Sequence, residues 1–119
     1  MTKVNRVGRI QISPHAITTI ASDAVLQCYG VVGMAHKNLF GSLADLLQSE
    51  RWRRGVEVRV NDGQITVDLY VIIQYGTRIS EVAHGVMHGV KYALERTLGV
   101  SIAQVNVHVQ GLGMLNDTR

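Results

Sequence analysis

Alternating apolar and polar residues on either side of a two-residue turn restrict the fold of this chain more than any other feature. Valines occupy every second position of residues 56–60, and apolar residues occupy every second position of residues 65–73. Asp62-Gly63 between them suits a tight hairpin turn, because Gly tolerates the positive φ that such turns require. Pairing Val60 with Ile65 places all these apolar side chains on one face, and a slip of one residue would expose the valines. The pattern predicts an antiparallel hairpin with one covered face.

Three further strands and two long helices are predicted around this hairpin. The expected strands cover residues 8–12, 31–35 and 104–110. The first helix begins at Ser13-Pro14, where Ser caps free amide groups and Pro suits the first helical position. The second begins at Thr77 or Ser80. Each helix carries an apolar stripe, and Gly30 and Gly99 are suited to ending them in a left-handed conformation.

The resulting order is β-α-β-(short α)-β-β-α-β, which predicts an α+β fold. Each strand has one apolar face and each long helix has one apolar stripe. The simplest arrangement is therefore a two-layer sandwich with two long helices on one face of a mixed sheet. The length of 119 residues allows a single domain, 1–119, with a core over 8–112 and a variable segment over 36–55 that contains the short helix.

Composition narrows the class of protein. Only 18% of the residues are charged, which suggests that part of the surface is covered by a partner or by another copy. The formal net charge of +3 is too small to demand nucleic acid as a ligand. A single cysteine excludes an intramolecular disulfide and fits a reducing cytoplasm. No apolar run reaches the length of a signal peptide or a membrane span, so any membrane association is expected to be peripheral.

The residues that could carry catalysis or bind a metal do not form a recognisable site. His84 and His88 are four positions apart on a helix, but their HGVMH sequence lacks the glutamate of a catalytic zinc motif. We therefore expect solvated histidines rather than metal ligands. Cys28 lies on the apolar stripe of the first helix, which is typical of a buried structural thiol. The sequence predicts no catalytic residue, no cofactor and no metal.

The first of two candidate binding surfaces lies in the variable segment. Arginine binds phosphate and carboxylate groups, and Trp can stack or insert at an interface. The alternative is a solvated loop whose apolar residues cover the edge of the core. The candidate residues are Leu39, Phe40, Leu43, Arg51, Trp52, Arg53 and Arg54.

The second candidate surface is the face of the sheet opposite the helices. Its candidate interface residues are Arg9, Arg59, Tyr70, Ile72 and His108. Such a face could stack and hold single-stranded RNA. The aromatic content of 5%, the small net charge and the acidic residues Glu57 and Asp68 on the same face argue against nucleic acid. Protein partners are the favoured interpretation.

Several segments, taken in order, resemble the alkaline shock protein family of Gram-positive bacteria, a group of cell-envelope stress-response proteins. The resemblance extends from Gly8 to Leu112. It is carried by GRIQIS, YGVVGMA, DGQITVDLYVIIQYG and ISEVAHGVMHGVKYALERTLGVSIAQVNVHVQGL.

This resemblance implies a non-enzymatic cytoplasmic protein that forms homo-oligomers and supports envelope homeostasis. It also implies association with the inner face of the membrane through a membrane-anchored protein partner. The chain lacks the long charged tails of some stress-induced members, so alkaline-stress induction and filament formation are not expected. A role as an accessory protein of a fatty-acid-kinase-like lipid pathway is an alternative setting.

Overall fold

The computed structural model describes residues 2–4, 6–35 and 55–114, and confirms an α+β fold with two helices and a mixed sheet. The short helix predicted within 36–55 lies outside the described residues. The strands in the described part of the chain are β1 (Thr2–Val4), β2 (Arg9–Gln11), β3 (Val31–Met34), β4 (Val56–Asn61), β5 (Gln64–Gln74) and β6 (Gln104–Gly113). The helices there are α1 (Pro14–Leu26) and α2 (Ile79–Leu98).

The hairpin of β4 and β5 has the register that the alternation predicts. Val60 pairs with Ile65, Val58 with Val67 and Val56 with Leu69. The turn places Asp62 at a φ of 51° and Gly63 at 78°, the left-handed region in which Gly carries no steric cost. Local sequence alone therefore determines this part of the sheet.

Strand β5 is central and has three partners, so two of them must share an edge. β6 pairs with β5 along residues 66–74, whereas β4 pairs with residues 64–69 and β3 with residues 71–73. Because β6 overlaps both of the others, β3 and β4 lie end to end on the opposite edge. They meet at Tyr70, whose N–H donates to Gly55 O at 2.8 Å and whose carbonyl accepts from Ala35 N at 2.8 Å.

The helices form one layer on one face of this sheet. Helix α2 connects β5 to the parallel strand β6 and packs against β6, whereas α1 packs against β3 and β4. The two helices also contact each other. Parallel neighbours need such a crossover connection, and this one makes the sheet mixed.

The core lies between the helix layer and the odd-numbered residues of β5, whose side chains are fully buried from Ile65 to Ile73. From the helices, the core includes Ile17, Ala21, Val25, Val82, Val86, Val90 and Leu94. Fully burying one such aliphatic side chain is worth about 1.5–3 kcal/mol, so this layer provides most of the driving force for folding.

The helix ends follow the sequence signals only in part. Ser13 caps α1 by accepting a hydrogen bond from Ala16 N at 3.2 Å. Helix α2 begins at Ile79, and its cap residue Arg78 makes no side-chain capping bond. Thr77, one of the two predicted starts, instead donates its hydroxyl to Gln74 O at 2.7 Å. Gly99 ends α2 in the predicted left-handed conformation, with a φ of 73°.

The prediction that residues 8–12 form a strand of the main sheet is wrong. Among the described residues, β2 pairs only with β1, in a separate antiparallel two-stranded sheet, and all three residues of β2 are exposed. Both edges of β5 are already occupied, so no position beside the central strand remains for β2. Ile10, which the alternation predicts to be buried, is 58% exposed.

Candidate interaction surface on the open sheet face

The face of the main sheet opposite the helices is called the open face here. It carries the even-numbered side chains of β5, because successive side chains of a strand point to opposite faces. Register places Glu57 and Asn106 on either side of Asp68, and His108 beside Tyr70. Residues far apart in the sequence therefore meet in one row across three strands.

Asp68 is the centre of a polar cluster formed with Arg59, Asn106 and His108. Arg59 donates from Nε at 3.1 Å and from Nη2 at 2.5 Å to one carboxylate oxygen of Asp68. Asn106 Nδ2 and His108 Nε2 each lie 3.1 Å from the other oxygen. An ionised carboxylate only accepts, so His108 must carry its hydrogen on Nε2. The Asp68 side chain is only 7% exposed, and both of its oxygens are engaged within the protein.

These contacts determine how the cluster titrates. Burial alone would raise the pKa of Asp68, but hydrogen bonds from His108, Arg59 and Asn106 outweigh it and hold this pKa below its usual value. The hydrogen bond to Asp68, helped by the carboxylate charge, raises the pKa of Arg59. The pair therefore stays ionised near neutral pH.

Tyr70 and His108 form an aromatic pair beside this cluster. Their rings are stacked with centroids 4.5 Å apart and an interplanar angle of 11°. The Tyr70 hydroxyl donates a long 3.5 Å hydrogen bond to Glu57 Oε1. Tyr70 is only 8% exposed, whereas the side chain of His108 is 42% exposed. Histidine, not tyrosine, thus forms the accessible part of this pair.

The other end of the open face is apolar and contains unfilled space. Ile72 is partly exposed and pairs with Gly33 on one side and Gly111 on the other. A Cβ atom built on either glycine meets no described atom within 4 Å. Val32 lies near Ile72, because a Cβ on Gly113 would be 3.1 Å from Val32 and 3.3 Å from Ile72. We call this region the glycine-flanked row.

Four of the five predicted open-face residues lie on that face. Arg59, Tyr70 and His108 belong to the polar cluster and its aromatic pair, and Ile72 lies at the centre of the glycine-flanked row. The placement of Arg9 there is wrong, because Arg9 is on β2, outside the main sheet. The seven candidate residues of the variable segment, Leu39 to Arg54, lie outside the described residues.

The sequence interpretation missed the glycine-flanked row. Gly33 lies inside the predicted strand 31–35 and Gly111 just beyond the predicted strand 104–110, but the pattern does not reveal that both pair with Ile72. Both are at irregularities in the strand register, where β3 and β6 each contain one extra residue, Val32 and Gln110. A glycine inside a strand pattern is the signal that could have indicated a bulge or an open site.

Other reactive side chains have ordinary environments. The thiol of Cys28 donates to Ala24 O at 3.3 Å, and burial raises its pKa, so it is a poor nucleophile. It lines an open groove of about 520 Å³ where α1 and α2 meet. His84 and His88 are exposed and 6.3 Å apart between ring centroids, and Nδ1 of His84 lies 3.0 Å from Ser80 O.

Neither a metal-binding cluster nor a membrane-spanning helix is found among the described residues. Ranges 2–4, 6–35 and 55–114 contain no group of three or more His, Cys, Asp or Glu side chains able to hold a metal. Within those same ranges, neither helix combines the length and apolarity needed to cross a bilayer.

Comparison with known proteins assigns the chain to a family. The sequence model of the Asp23 protein family, described as having a cell envelope-related function, matches residues 2–114. YloU of Bacillus subtilis (strain 168) is 45% identical over 112 residues, covering 93% of each chain. Spy1614 of Streptococcus pyogenes serotype M6 is 36% identical over 117 residues, covering 97% of each.

A more distant relative carries a functional name. A stress response regulator gls24 homolog of Streptococcus pyogenes serotype M3 is 26% identical over 103 residues, which are 86% of this chain and 57% of that protein. No solved structure is significantly similar. The family match over almost the whole chain confirms the resemblance read from the sequence, and the chain belongs to the Asp23 family of cell envelope-related proteins.

Proposed function

We propose that this chain is a non-enzymatic interaction protein of cell-envelope homeostasis and the envelope stress response. It acts by self-association and by binding a protein partner at the cytoplasmic face of the membrane. The open face is the observation that carries this proposal. A partly exposed apolar row with unfilled space lies beside charged and polar groups. Protein interfaces commonly combine an apolar centre of this kind with a polar rim.

The chemistry of the polar cluster favours recognition over catalysis. Both oxygens of Asp68 accept hydrogen bonds inside the protein, and its lowered pKa makes it a poor proton acceptor near neutral pH. The exposed parts of the cluster are Arg59, whose side chain is 50% exposed, and His108. The remaining N–H groups of Arg59 can recognise carboxylate or carbonyl groups of a partner, and Nδ1 of the His108 ring assigned above can accept a hydrogen bond, while Asp68 holds both side chains in place.

The glycine-flanked row supplies a place for an apolar anchor. Spaces beside Ile72 on both neighbouring strands can accept a partner's aliphatic or aromatic side chain without any rearrangement of the backbone. An anchor that enters open space bordered by strand backbone gains affinity, because little conformational entropy of the protein is lost on binding.

The nucleic-acid alternative receives less support from this geometry. Base stacking requires an accessible aromatic face. Tyr70 is 8% exposed with His108 stacked upon it, and Asp68 neutralises the charge of Arg59. The alternative role in a lipid pathway shares the same surface and differs in the identity of the partner.

A site-specific photocrosslinker tests the proposal. The crosslinking amino acid replaces Ile72 on the open face, or Tyr92 as a control, which is 62% exposed on α2. We expect Ile72 to crosslink to a protein of the membrane fraction and Tyr92 to give no such product. A second variant combines the crosslinking amino acid at position 72 with Gly111→Val. The added side chain fills the space beside position 72 and should abolish the crosslink.

Each alternative outcome counts against a defined part of the proposal. Products containing RNA would support the nucleic-acid alternative. Equal crosslinking from Ile72 and Tyr92, or none at Ile72 in a correctly folded chain, would contradict a partner site on the open face.

A further inference from the structure

The outer edge of β6 has no strand beside it in the described part of the chain. Its inner edge pairs with β5 over residues 66–74, and no backbone hydrogen bond between described residues reaches its outer edge. An unpaired edge presents a row of N–H and C=O groups, which is a template for another strand.

The opposite edge of the same sheet is protected against such pairing. There β3 and β4 are separated at Tyr70, and β3 has a bulge at Val32. β4 also carries the charged residues Glu57 and Arg59. Interruptions, bulges and edge charges are the usual devices that prevent edge-to-edge association.

Strand β6 lacks these devices over most of its length. Residues 104–109 are free of bulges, and Gln104–Gly113 contains no Lys, Arg, Asp, Glu or Pro. The one irregularity, at Gln110, ends the regular stretch. An unpaired, regular and uncharged edge of this kind is unusual unless another strand adds to it.

The helix layer next to this edge carries two apolar side chains, with Lys91 one turn beyond them. A Cβ atom on Gly89 would lie 3.6 Å from Cys28 Sγ, so that side of α2 faces α1. Helical spacing then puts Ala83 and Met87 on the opposite flank, away from α1, and both are partly buried. Val109 at 38% exposure and Leu112 at 49% continue the apolar margin along β6.

We propose that this edge pairs antiparallel with the same edge of a second copy, around a two-fold axis at Val107. The inference rests on the self-association in the proposed function and specifies the surface used. Val105 then lies opposite Val109 of the partner subunit, and Asn106 lies opposite His108 of the partner subunit. A two-fold interface requires a self-complementary patch, and this register brings valines together without opposing like charges.

Pairing of this kind produces a closed dimer. Each outer edge of the joined sheet is then the interrupted edge formed by β3 and β4, which carries charged residues. The two-fold axis is perpendicular to the sheet, so both helix layers lie on the same side and their Met87 flanks face each other. Both open faces remain available to partners.

A lysine substitution at the edge, with a matched control, tests this interface. Val109→Lys places a charge on β6, and Val60→Lys places one on β4 at a valine of similar exposure, 42%. In sedimentation velocity over a concentration series, wild type and Val60→Lys should dimerise equally. The dissociation constant of Val109→Lys should rise at least about tenfold. Circular dichroism melting verifies that each variant is folded.

Hydrogen–deuterium exchange gives a second readout that does not depend on any substitution. Amides of residues 104–109 should become better protected as the wild-type concentration rises, and amides of β4 should not. Two results would overturn the edge interface but leave self-association standing: wild-type self-association without a change in β6 protection, or a dissociation constant that Val109→Lys leaves unchanged. A strictly monomeric wild type overturns both.

Discussion

At the residue scale, Asp68 connects the stability of the sheet to its recognition chemistry. One buried carboxylate holds three donors that come from β4 and β6. These donors are 9, 38 and 40 positions away in the sequence. Sequence alternation placed them on one face, but could not show that they converge on a single side chain. That convergence depends on the parallel register of β6, which no local pattern encodes.

Asp68→Asn should lower the free energy of unfolding by about 2 kcal/mol at neutral pH, because an amide cannot accept from all three donors. The pKa of Asp68 is lowered in the folded protein, so its contribution is complete above the unfolded value of about 3.9 and is lost as the pH falls through the folded pKa. Urea denaturation at pH 7 and at about pH 3 should show the difference between variant and wild type shrinking in acid.

Asp62→Asn is the matched control, because Asp62 occupies the exposed hairpin turn, where Asn also tolerates a positive φ. This variant should unfold like the wild type at both pH values. A destabilisation by Asp68→Asn that is equally large at pH 3 would contradict the proposed origin of the effect.

At the element scale, the edge formed by β3 and β4 behaves as one strand with an interruption. Both pieces run antiparallel to β5, and their ends are joined to the same residue, Tyr70. The hairpin half was predictable, because its register follows from a two-residue turn and local alternation. The end-to-end placement of β3 was not, since it depends on which edge of β5 remains free after β6 pairs.

Gly55→Ala tests how tightly this junction is packed. A Cβ atom at Gly55 would lie 2.8 Å from Met34 Cβ and 2.9 Å from the carbonyl oxygen of Tyr70. The backbone must shift to accept it, so we expect a loss of about 2 kcal/mol in the free energy of unfolding, measured by urea denaturation. Gly33→Ala on the same edge meets no described atom within 4 Å and should be nearly neutral. Equal losses in the two variants would contradict this explanation.

At the scale of the whole molecule, the two-stranded sheet of β1 and β2 is separate from the main core. β2 is entirely exposed, and Ile12 is the first residue after β2 that packs partly against the core. The sequence pattern over residues 8–12 has the period of a strand. The tertiary arrangement, in which β2 pairs with β1, places this strand outside the main sheet.

Removal of residues 1–11 should therefore preserve the fold. Ser13 and Ile12 are retained, so the helix cap and the nearest core contact persist. We expect the free energy of unfolding to fall by less than about 1 kcal/mol, with an unchanged denaturant slope. A shallower slope or loss of the cooperative transition would indicate that the N-terminal sheet is part of the core.

The split edge also creates a natural insertion point in the chain. Ala35 and Gly55 are held next to each other by the backbone of Tyr70, so the sheet itself closes the connection formed by residues 36–54. Each doubling in the length of a flexible connection costs only about 0.6 kcal/mol in closure entropy. Members of a lineage can therefore exchange or resize this connection, and engineers can graft a foreign peptide there, while the register of every strand stays the same.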